Sequence, residues 1–282
     1  MPTLTRATDV LPDLRASLLL SATMAVTGVA ASDAPLPAWQ PLRRELVTSS
    51  KGTLSVDDVV YGYDQLYEHN QLWAQQRFMG VQCQQDPMDA WVLQEILFDT
   101  QPDLLIETGT QNGGGALMYA TLMQLYSATA RVVTIDTMSV NAQKPLYSIP
   151  GFCKRRGCRN ATDNPLWSRH VTSLRGLSTA PGVLAKVREA AQGAHRVMVV
   201  LDSLHSYENV RRELELYHEF VTRGMYLVVQ DTKLDRLRGR RAAKAAAADF
   251  MRSRAARKFR VDKSREYLLY SQHSDGFLLR VS

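Results

Sequence analysis

From about residue 100 onward, apolar and polar positions alternate in blocks rather than singly. Short, nearly continuous apolar runs recur at Leu104–Thr108 (LLIET), Val132–Asp136 (VVTID), Val197–Asp202 (VMVVLD) and Tyr226–Gln230 (YLVVQ). Runs of that length and uniformity are expected of strands covered on both faces. Between them, apolar residues return at helical spacing over Gly115–Tyr126, Gly182–Gln192 and Tyr207–Thr222. A long polar loop from Thr137 to Ser168 leads to a weaker strand near His170–Val171. Strand–helix alternation of this kind predicts a parallel, doubly wound α/β sheet. Past Asp231, a basic loop and the Ala-rich helix Ala242–Met251 precede short strands near Phe259–Val261, Tyr267–Tyr270 and Phe277–Arg280. These are expected to close the sheet with an antiparallel hairpin.

Two helices precede the alternation. Ser55, followed by Asp57 and Asp58, marks the start of the first; Val60, Tyr63, Tyr67 and Trp73 extend it as an aromatic packing stripe. Asp86-Pro87 opens the second, with proline in the first helical position, running to about Asp99. The chain thus reads as a segment of residues 1–51 followed by one domain of residues 52–282, with N-terminal helices (55–99) placed before an α/β core (100–282). Within the first segment, Leu18–Ala31 (LLLSATMAVTGVAA) is apolar, follows Arg6 and Arg15, and ends in small residues. A targeting peptide, a membrane anchor spanning residues 15–31 and an amphipathic helix all fit that pattern. Residues 34–41 then form a Pro-containing linker.

Composition adds little beyond a globular class: 45% of residues are hydrophobic and the formal charge is +6. The charge is concentrated, however. Residues 231–282 hold 14 Lys and Arg against 6 Asp and Glu. Such a field suits an acidic substrate, a membrane surface or nucleic acid, and equally a solvated helix face. Lys144, Lys154, Arg155, Arg156 and Arg159 make the polar loop basic as well. The three cysteines, Cys83, Cys153 and Cys158, are too few for a disulfide framework or a metal knuckle. They read as unpaired thiols, with one disulfide open in an oxidising compartment.

In open α/β sheets ligands bind beyond the carboxyl ends of the strands, and those positions carry the candidate chemistry. The first strand ends in Glu107-Thr108-Gly109-Thr110-Gln111-Asn112-Gly113-Gly114-Gly115. The glycines suit a sharp turn that lies close to a ligand. Their spacing differs from that of dinucleotide sites, and Glu107 suits a cation better than a phosphate. The second strand ends at Asp136, placed to accept both ribose hydroxyls of a nucleoside. The strands ending at Asp202 and at Gln230-Asp231, if adjacent, bring two carboxylates together as a Mg²⁺ site. His205, three residues past Asp202, is the candidate base. His69, His170, His195, His218 and His273 show no comparable company.

Taken in order, E-T-G-T-Q-N-G-G-G, I-D, V-L-D-S-L-H, L-V-V-Q-D-T and the closing H-S-D-G-F-L-L-R resemble the cephalosporin hydroxylase/rhamnosyl O-methyltransferase family over residues 86–282. The resemblance implies a Rossmann-like class I methyltransferase fold that uses S-adenosylmethionine. It places Glu107, Gly109, Thr110 and Gly113 along the cofactor and Asp136 at its ribose. Asp202, Gln230 and Asp231 would hold Mg²⁺, with His205 as base in O-methylation of a small-molecule or sugar hydroxyl. Gln230 departs from the acidic residue the family places there, which removes one negative charge from the metal site. Two other readings follow from the residues: methylation of nucleic acid through the basic C-terminal region, and a catalytically weak cofactor-binding protein with a degenerate metal site. The nucleic-acid reading lacks base-stacking aromatics among the basic residues. A homo-oligomer is compatible with all three.

Overall fold

The computed structural model describes residues 47–49, 52–140 and 157–282. The apolar segment at 15–31 and its linker, and the loop residues Lys144, Lys154, Arg155 and Arg156, lie outside the described residues. Two small antiparallel ribbons, β1 (Val47–Ser49) with β2 (Gly52–Leu54) and β3 (Arg77–Phe78) with β4 (Val81–Gln82), bracket helix α1 (Val56–His69). Helix α2 (Pro87–Thr100) leads into the core. There β5 (Leu104–Thr108), α3 (Gly114–Gln124), β6 (Arg131–Asp136), α4 (Pro165–His170), β7 (Val171–Arg175), α5 (Pro181–Ala190) and β8 (Val197–Leu201) follow in turn. The chain ends with α6 (Tyr207–Tyr217), β9 (Tyr226–Val229), α7 (Leu234–Arg238), α8 (Ala243–Met251), β10 (Phe259–Val261) and β11 (Phe277–Arg280).

Seven strands form one sheet in the order β10-β11-β9-β8-β5-β6-β7. Pairing is parallel from β9 through β7 and antiparallel where β11 joins β9 and β10. Because successive strand residues face opposite sides, each apolar run feeds two cores. Leu104, Ile106, Val197, Val199, Leu201, Leu227 and Val229 pack under α5, α6 and α8, while Leu105, Met198, Val200 and Val228 pack under α2 and α3. Burying each such side chain contributes about 1.5–3 kcal/mol, so four central strands with both faces covered hold the sheet firmly. Among the described residues, no helix is long and apolar enough to cross a membrane.

Local chemistry fixes the helix starts. Ser55 Oγ accepts from the Asp58 amide at 3.1 Å, and Asp86 accepts from the Met88 and Asp89 amides with Pro87 next in line. Ser206 caps α6 through the Asn209 amide.

Several expectations are corrected. Residues 267–270 form no strand: Tyr267 OH donates to Glu95 at 2.8 Å and Tyr270 OH to Asp64 at 2.5 Å, so side chains tie the segment across the N-terminal helices. Helix α6 stops at Tyr217 rather than Thr222, whose Oγ1 accepts from the Val197 amide beside the sheet. The weak strand near His170–Val171 is instead the end of α4 followed by all of β7. The basic loop contains α7, and Trp73 leaves the aromatic stripe, since α1 ends at His69. Cys158 is disulfide-bonded, against the expectation of unpaired thiols, while Cys83 is a free, buried thiol.

Candidate active site

The strand order puts the switch point at β5, whose neighbours β6 and β8 leave it on opposite sides. A cleft of about 510 Å³ opens over the carboxyl ends of the strands there. It is lined by Glu107, Gly109, Thr110, Asp136, Asp202, His205 and Asp231. Gly113 and Gln230 stand just behind that wall. The register explains the convergence: Thr108 lies opposite Ile135 on one side and Leu201 on the other, and Leu201 lies opposite Val229. The residues that follow each strand therefore emerge side by side.

Glu107 is buried at 2% exposure and accepts from Thr134 Oγ1 at 2.5 Å, while Thr134 and Thr110 share a hydroxyl contact at 2.7 Å. Burial pushes the Glu107 carboxyl up to about 8, with the Thr134 hydrogen bond opposing and Asp136 adding to the rise. Asp136 accepts from the Gln111 amide and the Met138 amide, both at 2.9 Å, which points its carboxylate along the loop that follows β5.

The glycines have a different reason from the one the sequence suggests. A Cβ on Gly109, at φ +97°, would fall 1.9 Å from the Asp202 carbonyl oxygen. One on Gly113, at φ +85°, would meet Ala161 and Trp167 at 2.7–2.9 Å; one on Gly114 would meet the Gln82 carbonyl at 2.2 Å. Close approach of protein to protein thus requires these glycines, and it seats the loop against β8, α4 and β4. Among the described residues, Gln111 Nε2 and Asn112 Oδ1 are buried without a partner on the cleft wall.

At the other end, one oxygen or nitrogen from each of Asp202, His205 and Asp231 lies within 4.8 Å of the others. His205 Nε2 is 3.1 Å from Asp231 and 3.7 Å from Asp202. Burial, helped by the neighbouring Asp231, Glu107 and Glu213 carboxylates, holds the Asp202 carboxyl well above its ordinary range. Burial pushes the Asp231 carboxyl the same way, but His205, Lys233, His273 and Arg238 outweigh it and hold it low. Burial also lowers His205, leaving a neutral imidazole near pH 7 despite Asp231. A divalent cation between the carboxylates would relieve the repulsion on Asp202, so this donor set fits Mg²⁺.

Gln230, 2% exposed, sits against Asp202. The amide orientation that avoids opposing two oxygens turns the nitrogen to both Asp202 oxygens, at 3.1 and 3.2 Å, and the oxygen to Tyr119 OH at 3.3 Å. To offer its oxygen to a cation beside Asp202, Gln230 has to turn its amide over.

His273 was given no role by the sequence, yet it belongs to the site. Its Nδ1 accepts from the Asp231 amide at 3.0 Å, and its Nε2 lies 3.8 Å from Asp89. Asp231 has a left-handed backbone, φ 56°, which this contact helps to hold. Asp89 in turn accepts from Ser271 Oγ at 2.6 Å and the Gln272 amide at 2.7 Å. No local motif signals this. His273 reaches Asp231 only because β11 returns antiparallel to β9, pairing Phe277 with Val228. His69, His170, His195 and His218 stand outside the cleft lining.

Comparison with known proteins gives the arrangement its context. The family model for rhamnosyl O-methyltransferase/CmcI matches residues 70–281. The rhamnosyl O-methyltransferase of Mycobacterium bovis (strain BCG / Pasteur 1173P2) is 29% identical over 180 residues, 64% of this chain and 66% of that protein. The rhamnosyl O-methyltransferase of Mycobacterium leprae (strain TN) is 28% identical over 180 residues, 64% of this chain and 70% of its own length. The match to the M. bovis protein spans slightly less than two thirds of that relative. Among solved structures, CmcI with Mg and SAM superposes with a TM-score of 0.51 at 18% identity, covering 74% of this chain and 78% of that one. That likeness is one of fold, and it agrees with the class I methyltransferase fold expected from the sequence. By the match over residues 70–281, the chain belongs to the rhamnosyl O-methyltransferase/CmcI family.

Proposed function

We propose that this protein is an S-adenosylmethionine-dependent O-methyltransferase acting on a sugar hydroxyl, with Mg²⁺ at Asp202 and Asp231. The observation that carries the proposal is the convergence, in one cleft, of a buried Glu107 and the ribose-type acceptor Asp136 with the Asp202–His205–Asp231 cluster. Relatives named rhamnosyl O-methyltransferases support a sugar as acceptor.

When bound, the cofactor supplies an electrophilic methyl group and the cation a positive charge beside the developing alkoxide. The chain's own residues do the rest. Asp136 receives the ribose hydroxyls, while Glu107, with Thr110 and the Gly109–Gly113 turn, faces the cationic methionine portion. Asp202 and Asp231 hold the cation, and Gln230 joins them once its amide turns over. His205 accepts the proton of the acceptor hydroxyl as the oxygen attacks. Asp231, 3.1 Å away, stabilises the imidazolium that results. Holding acceptor and donor in line in the cleft supplies much of the rate.

The test separates binding from chemistry. His205→Ala should lower single-turnover methyl transfer by about 10²–10⁴-fold while cofactor affinity stays within two-fold or so of wild type. Equal losses in both would remove His205 from the role of base.

A further inference from the structure

The segment after Asp231 carries three cations in a short stretch, of which Lys233 and Arg238 line the cleft, and their partners differ. Lys233 Nζ lies 2.5 Å from Glu68 and 5.1 Å from the centre of the Tyr67 ring, so its charge is met inside the protein. Arg236 pairs with the buried Asp64. Arg238 lines the cleft, is exposed, and has no carboxylate partner among the described residues. It sits at the end of α7, just before Gly239 turns the chain at φ 58°. It shares the cleft wall with His205 and with Asp231, seven residues before it in the chain.

The surroundings give that charge its meaning. The other charged groups on the wall are mainly acidic: Glu107, Asp136, Asp202 and Asp231, with Glu68 already neutralised by Lys233. The cofactor and a divalent cation account for the acidic groups. Neither accounts for a guanidinium. A planar fork of N–H donors, on a wall that also carries the half-buried Trp73, is suited to an oxyanion carried on a ring.

We propose that Arg238 anchors the acceptor: it binds an oxyanion, a phosphate ester or a carboxylate borne by the sugar, while the hydroxyl to be methylated reaches His205. This inference rests on the methyltransferase reading for its site and adds the chemical class of the acceptor. Anchoring at one end fixes which hydroxyl reaches the base, so Arg238 would determine position as well as affinity.

The experiment is a calorimetric titration of the full chain, preloaded with S-adenosylhomocysteine and free of divalent cations, with inorganic phosphate and with acetate at constant ionic strength. Saturable one-to-one binding of at least one anion is expected. Tighter binding of phosphate identifies a phosphate ester, and tighter binding of acetate a carboxylate. Arg238→Gln should weaken the binding by about ten-fold or more, with unchanged homocysteine-cofactor affinity and thermal unfolding. Arg240→Gln removes an exposed charge two residues away that is not on the cleft wall, and should leave anion binding unchanged. The proposal is overturned if neither anion saturates, if Arg238→Gln binds as wild type does, or if Arg240→Gln loses as much. Failure of S-adenosylhomocysteine to bind, with anion binding intact in the unloaded chain, would instead overturn the methyltransferase reading.

Discussion

Glu107 shows most plainly how one residue's surroundings become a measurable property. Burial lifts its carboxyl to about 8, so below that pH the free protein carries a proton there. A cationic ligand favours the carboxylate, and binding it must expel that proton. Affinity for S-adenosylmethionine should therefore rise with pH up to about 8 and level off above it. Calorimetry in buffers of different ionisation enthalpy reads the proton directly. The cofactor's own amine titrates nearby, so Glu107→Gln is the control and should abolish the proton release. A Glu107→Gln protein with the same pH slope would place the effect elsewhere. His273 acts through a backbone amide rather than a charge. His273→Ala leaves the Asp231 amide without its acceptor and frees a left-handed aspartate, so Mn²⁺ binding followed by electron paramagnetic resonance should weaken about ten-fold. His273→Asn, which keeps an acceptor, should recover part of it. Unchanged Mn²⁺ affinity in the alanine variant would reduce His273 to a packing residue.

Among the elements, what the sequence reveals and what it hides have separate physical causes. The central strands are legible because burial on both faces demands nearly unbroken apolar runs, and LLIET, VVTID, VMVVL and YLVV are nothing else. The two-residue strands β3 and β4 carry no such demand and leave no pattern. Residues 267–270 have strand-like composition, but their tyrosine hydroxyls find Asp64 and Glu95 on the helices, and that pull overrides propensity. Asp64 and Asp89, fully buried in the two N-terminal helices, are hidden for the same reason: their partners are about 200 residues away in sequence. The residues after each strand were legible as a set, since parallel register alone makes them neighbours. The glycine loop was legible in position but not in cause. Gly109→Ala forces a Cβ against the Asp202 carbonyl at a left-handed φ, so it should cost about 2–5 kcal/mol in urea unfolding. Gly182, with nothing within 4 Å of its built Cβ, should accept alanine without loss. Equal costs at the two positions would show that strand packing is not what requires Gly109.

For the molecule as a whole, the concentrated positive charge of the last fifty residues looks different once folded. Lys244 and Lys263 share Asp275, Arg241 and Arg252 share Asp249, and Arg265 reaches Asp99. The first four of these pair within the C-terminal segment itself, whereas Arg265, together with Lys233 and Arg236 held by the first helix, ties that segment to the rest. Sequence counting does not separate Lys233 and Arg236 from Arg238, because the partners of the first two come from the distant first helix. The same long-range closure assembles the cleft, in which the carboxyl ends of five strands, the end of the first helix, the segment before α2 and the returning C-terminal loop each supply part of the wall.

The central claim is that this cleft binds S-adenosylmethionine beside a cation held by Asp202 and Asp231. The most direct measurement is a calorimetric titration of the full chain with S-adenosylmethionine, with and without Mg²⁺. The account predicts saturable one-to-one binding that Asp136→Ala weakens, together with a shift on adding Mg²⁺ that Asp231→Asn removes. A folded protein that binds no S-adenosylmethionine in either condition would contradict it.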